Sequence, residues 1–427
     1  MAALTDAAGV AASREAYLWE TLGVLWPEPA QIERRGRAVD AASPHAELPG
    51  QAEFLVLPSA ERAALLLPRR PRRAAAAALR HYKASAAGTR RLVFRALGLA
   101  ARAGLADVLP DRVTIGTVRP GPEADVVSYL REALGQDLVV SLRISAPRAN
   151  RKPVLQLLSP RGEILGFAKV GVTDLTGGLV RAEAAALRRL AAAPLARVAV
   201  PRLLHHGQWR GHEVLVQAPL SGSGRPGRQA GLTSAMAEVA AVAGLTTQTL
   251  GGSGYGRGLR ARLEACLPSE PARELLQVLA NLETRAAGTS LVFGAWHGDW
   301  TPWNMTFSAG RALVWDWERF AVGVPVGYDA LHYQVQAAVA GNPAGAQAAA
   351  EVALFTAPMT LAPLGVGRGV AGLVAALYLI EIAARYLQDQ AAEAGARLGD
   401  VQSWLLPPLA SYAGRFQATA GHEGEVA

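Results

Sequence analysis

Between Leu291 and Asp329 the chain reads LVFGAWHGDWTPWNMTFSAGRALVWDWERFAVGVPVGYD, with its polar residues at the edges of short apolar runs. Two of those runs, Met305-Thr306-Phe307 and Ala312-Leu313-Val314-Trp315, flank the turn Ser308-Ala309-Gly310-Arg311, which is the pattern of a β-hairpin. If Phe307 faces Ala312 across that hairpin, Asn304 falls opposite Trp315 and beside Asp316. The open end then joins an amide oxygen to a carboxylate, and the turn His297-Gly298-Asp299 just before it supplies a second carboxylate. Hard oxygen ligands of this kind suit Mg²⁺. Phosphoryl transfer needs a carboxylate to take the acceptor's hydroxyl proton, and an Asn and an Asp to hold Mg²⁺ on the nucleotide phosphates. Asp299 fits the first role, Asn304 and Asp316 the second. The plain alternative is an acidic hairpin end on the surface.

The same letters resemble the aminoglycoside phosphotransferase and choline kinase family. Its signature is His-Gly-Asp, an Asn five residues past the Asp, and a hairpin ending in Asp, often Asp-Trp-Glu. Here those positions are His297, Gly298, Asp299, Asn304, Asp316, Trp317 and Glu318. Gly323, Pro325 and Asp329 match the later Gly-x-Pro and the Asp that buttresses the catalytic loop. The resemblance implies an α+β, two-lobed protein-kinase-like fold with a strand-rich N-lobe and a helical C-lobe. It implies a Mg²⁺-dependent kinase that moves the γ-phosphate of ATP or GTP to a hydroxyl of a small molecule, a sugar, amino sugar or amino alcohol.

The elements that must position these groups begin near residue 131. Strands are expected at 138–145, 153–158 and 164–170, the first three of such an N-lobe. The third carries Lys169 among apolar neighbours, and a buried Lys needs a partner. Fourteen residues later Glu183 lies on a helix whose apolar face runs through Val180, Ala184, Leu187 and Leu190. In kinase-like folds such a Lys reaches the α/β-phosphates and such a Glu holds it. The loop from Ser145 to Lys152 departs from protein kinases in having no glycine, though Arg148, Asn150, Arg151 or Lys152 could add charge or polarity for phosphate. Two further strands follow, and Gln217 to Pro219, with Gln217 and Ala218 foremost, is the expected hinge against adenine. His205, His206 and His212 lack the spacing of a zinc site and read as strand and turn residues. Ser221 to Gly227 reads as a flexible link between lobes. Helices are expected at 233–249, 257–266 and 270–287, then at 328–341, 345–355, 366–391 and 400–418.

At 427 residues the chain suits two or three packed units, divided here as an accessory region 1–130, an N-lobe 131–220 and a helical C-lobe 221–427. With 51% apolar and 18% charged residues it reads as soluble and globular. No signal peptide is evident, and Cys266 alone excludes an intrachain disulfide, so a cytoplasmic protein is expected. The apolar stretch Gly365 to Ile380 is broken by Arg368 and closed by Glu381, which favours a buried helix over a transmembrane segment. In the accessory region, strands are expected at 53–57 and 63–67 and helices at 72–83 and 89–102. Arg69, Arg70, Arg72 and Arg73 read as a solvated helix start, with an anion or membrane-surface patch as the alternative.

Charge is distributed unevenly. Residues 131–210 hold 13 basic against 5 acidic side chains, and residues 291–427 hold 6 against 11. The basic residues lack interleaved aromatics, so nucleic acid is not an expected partner. The polarity suits phosphates at one end and a cationic acceptor at the other. Trp300, Glu318 and Glu381 are the candidate acceptor contacts. Glu381 interrupts an otherwise apolar helix, its alternative being an intrahelical pair with Arg385. The chain has no His-Arg-Asp, Asp-Phe-Gly or Ala-Pro-Glu, which separates it from protein kinases. A kinase-like binding or scaffold protein without turnover is the other alternative, against which the intact set Lys169, Glu183, Asp299, Asn304 and Asp316 argues.

Overall fold

A period of two in the apolar residues, Leu155 and Leu157, Ala168 and Val170, Val214 and Val216, builds the sheet on which Lys169 stands. The computed structural model describes residues 2–35, 51–84, 111–116, 121, 123–144, 150–220, 231–392 and 401–420. They fall into two units, Met1–Ala184 with Arg202–Pro219, and Ala185–Pro201 with Leu220–Ala427.

The first unit runs through α1 (Ala2–Leu25), β1 (Gln31–Arg35), β2 (Gln51–Leu57), β3 (Leu65–Pro68), α2 (Arg72–Ala84), β4 (Arg112–Gly116), α3 (Val126–Leu134), β5 (Val139–Arg143), β6 (Val154–Leu158), β7 (Ile164–Gly171) and α4 (Asp174–Ala191). After β8 (Val198–Ala199), which belongs to the second unit, β9 (Leu203–Trp209) and β10 (His212–Gln217) complete it. Its nine strands form one sheet in the order β1-β4-β2-β3-β5-β6-β7-β10-β9. The join is antiparallel pairing of β3 with β5, Leu65 opposite Arg143 and Leu66 opposite Leu142. Phe54, Val56, Leu66, Val113 and Ile115 share one core with Val140, Leu142, Leu155, Leu157 and Val214.

The boundary expected near residue 130 therefore falls inside a continuous sheet, and the strands of the supposed accessory region extend the N-lobe. An edge at β5 would leave a row of backbone groups unpaired, and β3 covers it. The strands expected at 53–57, 63–67, 138–145, 153–158 and 164–170 are β2, β3, β5, β6 and β7, and the helix at 72–83 is α2. Arg69 pairs with Glu53. The helix expected at 89–102, Arg148 and the link 221–227 lie outside the described residues.

The second unit contains α5 (Leu232–Ala241), β11 (Thr246–Thr249), α6 (Gly254–Glu264), α7 (Glu270–Arg285), β12 (Ser290–Trp296), β13 (Met305–Ser308), β14 (Arg311–Val314), β15 (Ala321–Pro325), α8 (Tyr328–Gly341), α9 (Ala346–Leu361), α10 (Arg368–Ala392), α11 (Val401–Trp404) and α12 (Leu406–Ala420). The helix expected over 233–249 stops early. Gly244, at φ 82°, turns the chain, and the β-branched run that follows pairs with β12.

The hairpin β13–β14 has the expected register, Phe307 opposite Ala312. It is anchored from behind by β8, which runs parallel to β14. The Arg311 guanidinium donates to the Val198 carbonyl at 2.6 Å, and the Glu238 carboxylate on α5 accepts from the backbone amides of Ala196, Arg197 and Val198. Among the described residues α10 is the one helix long and apolar enough to cross a membrane, and 78% of its apolar window is buried in this unit's core.

Candidate active site

Strand β12 delivers His297, Gly298 and Asp299 into a loop held almost entirely by side chains from elsewhere in the second unit. The Asp329 carboxylate, in the first turn of α8, accepts from the His297 and Gly298 amides at 2.8 and 3.2 Å. Arg385 on α10 donates to the Gly298 carbonyl at 2.7 Å. His297 is fully buried; its Nδ1 accepts from the Asp299 amide at 3.0 Å and its Nε2–H donates to the Trp315 carbonyl at 3.1 Å. Burial keeps that imidazole neutral, its pKa lowered to about 4, as those two bonds require. Burial likewise pushes Asp329 up to about 7 against the two amides that favour its charged form. Gly298 has φ 85°, and a Cβ there would overlap the Arg319 carbonyl, so no other residue fits the turn.

The Asp299 side chain is 36% exposed, while His297, two residues before it, is fully buried. Its Oδ2 accepts from Asn304 Nδ2 at 2.8 Å, and its Oδ1 from His332 Nε2 at 3.0 Å. Asn304 Nδ2 also donates to the Asp299 carbonyl at 3.0 Å, which leaves Oδ1 as the ligand atom of that amide. The Trp315 amide donates to the Asn304 carbonyl at 3.1 Å, so the hairpin sets Asn304 opposite Trp315 as its register requires. Asp316 follows in the left-handed region, φ 72° and ψ 55°, a conformation a non-glycine residue adopts only when its surroundings impose it. A carboxylate oxygen of Asp316 lies within 4.8 Å of one of Glu318. An amide oxygen and two carboxylates are the donor chemistry of a hard divalent cation, so the residues present fit Mg²⁺.

In the first unit, Lys169 and Glu183 are both buried and paired, Nζ to Oε1 and Oε2 at 2.7 and 2.6 Å. The spacing depends on a close approach of α4 to the end of β7. A Cβ on Gly171 would sit 2.5 Å from Gly177 Cα, and Thr176 Oγ1 accepts from the Val172 and Thr173 amides. Lys169 lies on the face opposite Ala168 and Val170, and that face also carries Gln156, Phe167 and Gln217, in register across three strands. Gln156 Nε2 and Gln217 Oε1 are buried there with no hydrogen-bond partner. Sequence reading missed Gln156, because one polar residue in an apolar strand carries no signal until its face is known. At the expected hinge, the Ala218 amide is engaged by the Arg202 carbonyl at 2.8 Å, and Gln217 ends β10. Arg151 stacks over the Tyr17 ring, 3.1 Å from its centroid.

Two acceptor candidates sit elsewhere than expected. Trp300 is fully enclosed, its indole N–H directed at Met305 Sδ, so it packs the loop; Trp303 is the tryptophan left 50% exposed. Glu381 is buried in a bidentate pair with Arg262 on α6, at 2.7 and 2.5 Å, and accepts from Tyr255. Its ion pair is with Arg262 and not with Arg385, and the guanidinium holds its carboxyl low against the opposing effect of burial. Glu318 is buried beside Asp316. His205 bonds Tyr129, and His206 bonds Glu213.

A strand-rich unit bearing a buried Lys–Glu pair and a helix-rich unit bearing the Asp299 loop define an α+β protein-kinase-like fold. Residues 176–357 match the model of APH, the phosphotransferase enzyme family, so the resemblance to aminoglycoside phosphotransferases and choline kinases holds, carried by that stretch. No curated protein matches the chain. Among solved structures, a putative fructosamine-3-kinase from Haemophilus somnus 129PT is 14% identical over 67% of this chain and 96% of its own, with a TM-score of 0.42. A thermostable mutant of aminoglycoside phosphotransferase APH(4)-Ia, in ternary complex with ADP and hygromycin B, is 14% identical over 68% of this chain and 98% of its own, with a TM-score of 0.43. The gentamicin complex of APH(2")-IIa is 12% identical over 68% and 95%, with a TM-score of 0.41.

Proposed function

We propose that this chain moves the γ-phosphate of a nucleoside triphosphate, ATP or GTP, to a hydroxyl of a small molecule. One observation carries the reading. Asp299 presents a partly exposed carboxylate whose two oxygens are held by Asn304 and His332, on a loop whose backbone is pinned by Asp329 and Arg385. A carboxylate fixed in this way is placed to take a proton from a hydroxyl as the hydroxyl oxygen bonds to phosphorus and the bond to the nucleoside diphosphate breaks. Asn304 and Asp316 would hold Mg²⁺, which when bound neutralises charge on the phosphate oxygens. Lys169, fixed by Glu183, is the ammonium for the α/β-phosphates. The unpartnered amides of Gln156 and Gln217 are the polar atoms a nucleobase would satisfy, since a buried orphan costs about 1–3 kcal/mol.

The acceptor is read as a small hydroxylated compound. With Glu381 committed to Arg262, its cationic character rests on the acidic balance of residues 291–427 alone. The test is to incubate the purified chain with ATP or GTP, Mg²⁺ and a panel of neutral sugars, amino sugars, amino alcohols and nucleosides, following nucleotide consumption and acceptor mass. Transfer to one class is expected. Asp299→Asn should bind nucleotide as the parent does yet lose about 10²- to 10⁴-fold in transfer. Nucleotide binding without transfer to any acceptor would leave a binding protein in its place.

A further inference from the structure

His332, which holds Asp299 Oδ1, is itself held from behind, and that second contact defines its role. His332 lies one helical turn after Asp329 on α8, so the two side chains leave the same face of the helix. Asp329 takes hold of the loop's backbone, and His332 takes hold of its carboxylate. The imidazole is buried, with Nε2 at 3.0 Å from Asp299 Oδ1 and Nδ1 at 3.1 Å from the Tyr378 hydroxyl on α10. Tyr378 is fully enclosed and its pKa is raised well above 10 by burial, so its hydroxyl keeps its proton. A protonated hydroxyl can donate or accept, but the Asp299 carboxylate only accepts, so a neutral ring donates from Nε2 and the hydroxyl donates to Nδ1. Burial lowers the His332 pKa, which favours the neutral ring this geometry calls for.

We infer that His332, with its ring fixed by Tyr378 and its Nε2–H turned to Asp299, is a positioning residue for Asp299, fixing the plane of the carboxylate that receives the acceptor's proton. The terminal torsion of an aspartate is soft, and one hydrogen bond lets the carboxylate swing. Asn304 on Oδ2 and His332 on Oδ1 bind both oxygens and leave one orientation. The inference rests on the phosphotransferase reading. It adds that α8 governs the rate of transfer by a side chain that acts only through Asp299.

The experiment compares His332→Leu, His332→Gln and Tyr378→Phe in the full chain, using the acceptor found in the panel. His332→Leu removes the donor, and kcat should fall about 10- to 100-fold, the scale on which misplacing a reacting group by about an ångström acts, with nucleotide KM within about twofold. His332→Gln, which retains an N–H at the end of a similar reach, should recover most of the loss. Tyr378→Phe should give an intermediate kcat. Nitrogen NMR of histidine should show His332 protonated at Nε2 alone, in the parent and in Tyr378→Phe alike, because the Asp299 carboxylate takes the Nε2–H in both. A parent-like kcat in His332→Leu, equal losses in the Leu and Gln variants, or an Nδ1–H tautomer in the parent would each overturn the positioning role. A parent chain that phosphorylates nothing, yet shows the Nε2–H tautomer, would instead overturn the phosphotransferase reading beneath it.

Discussion

Two titrating groups in the Asp299 loop are shifted by burial in opposite senses, and their sum sets how the loop responds to pH. His297 falls from 6.5 to about 4 on folding, so between those values the unfolded chain binds a proton that the folded chain does not, and stability climbs with pH. Asp329 rises from 3.8 to about 7, so over that window the folded chain holds the extra proton and stability falls as pH rises. From about pH 4 to 6.5 the two slopes oppose each other. His297→Gln removes one climbing contribution while the other buried histidines, His332 among them, keep theirs, so from pH 4 to 6.5 the variant's stability from urea unfolding should fall relative to the parent's, by at most about 1.4 kcal/mol per pH unit. A variant that tracks the parent would show that His297 does not titrate in this way. Asp316 offers a second check on single residues. Its left-handed backbone penalises a Cβ by about 1–2 kcal/mol, so Asp316→Gly should melt above Asp316→Ala although both lose the same carboxylate. Equal melting temperatures would mean that the conformation is not strained. At this scale Asp299, Asn304, Asp316 and Asp329 were legible because they share one short stretch. His332, Arg385 and the partner of Glu381 were not, because Arg262 lies 119 residues from Glu381 and Arg385 lies 87 from Gly298. Spacing along one helix points to Arg385 as the partner of Glu381, and only the packing of α10 against α6 shows otherwise.

Between elements, the Lys169–Glu183 pair tests whether β7 and α4 act as one device. Its geometry depends on the two glycines that let α4 abut β7, so each side chain is useful only while the other holds it in place. In a double-mutant cycle with Lys169→Met and Glu183→Gln, the double variant should transfer little more slowly than the worse single variant, and a fully additive loss would separate the two roles. The strands of this region could be read from a period of two. Which strand neighbours which could not, since the pairing of β3 with β5 joins residues far apart in sequence and leaves no local pattern. The helix that ends at Ala241, short of the expected 249, follows the same logic: apolar content argues for extending it, and strand pairing with β12 decides otherwise.

For the molecule as a whole, the extended sheet means that Lys169 stands on a unit built from residues 1–184 and 202–219. A chain shortened to residues 131–427 would lose β1 to β4 and uncover β5 together with Val140, Leu142 and Leu155. That chain should be insoluble or melt without a cooperative transition, as read by soluble yield and thermal unfolding, and a soluble, cooperatively melting product would mean the added strands are dispensable. Neither unit is one uninterrupted segment, and this bears on how the protein is made. Synthesis from the N-terminus exposes 185–201 before 202–219 has arrived to finish the first unit, so that stretch belongs to a body not yet synthesised. β8 then waits for β14, which begins only at Arg311, and through that interval the growing chain carries a strand whose partner has yet to be made.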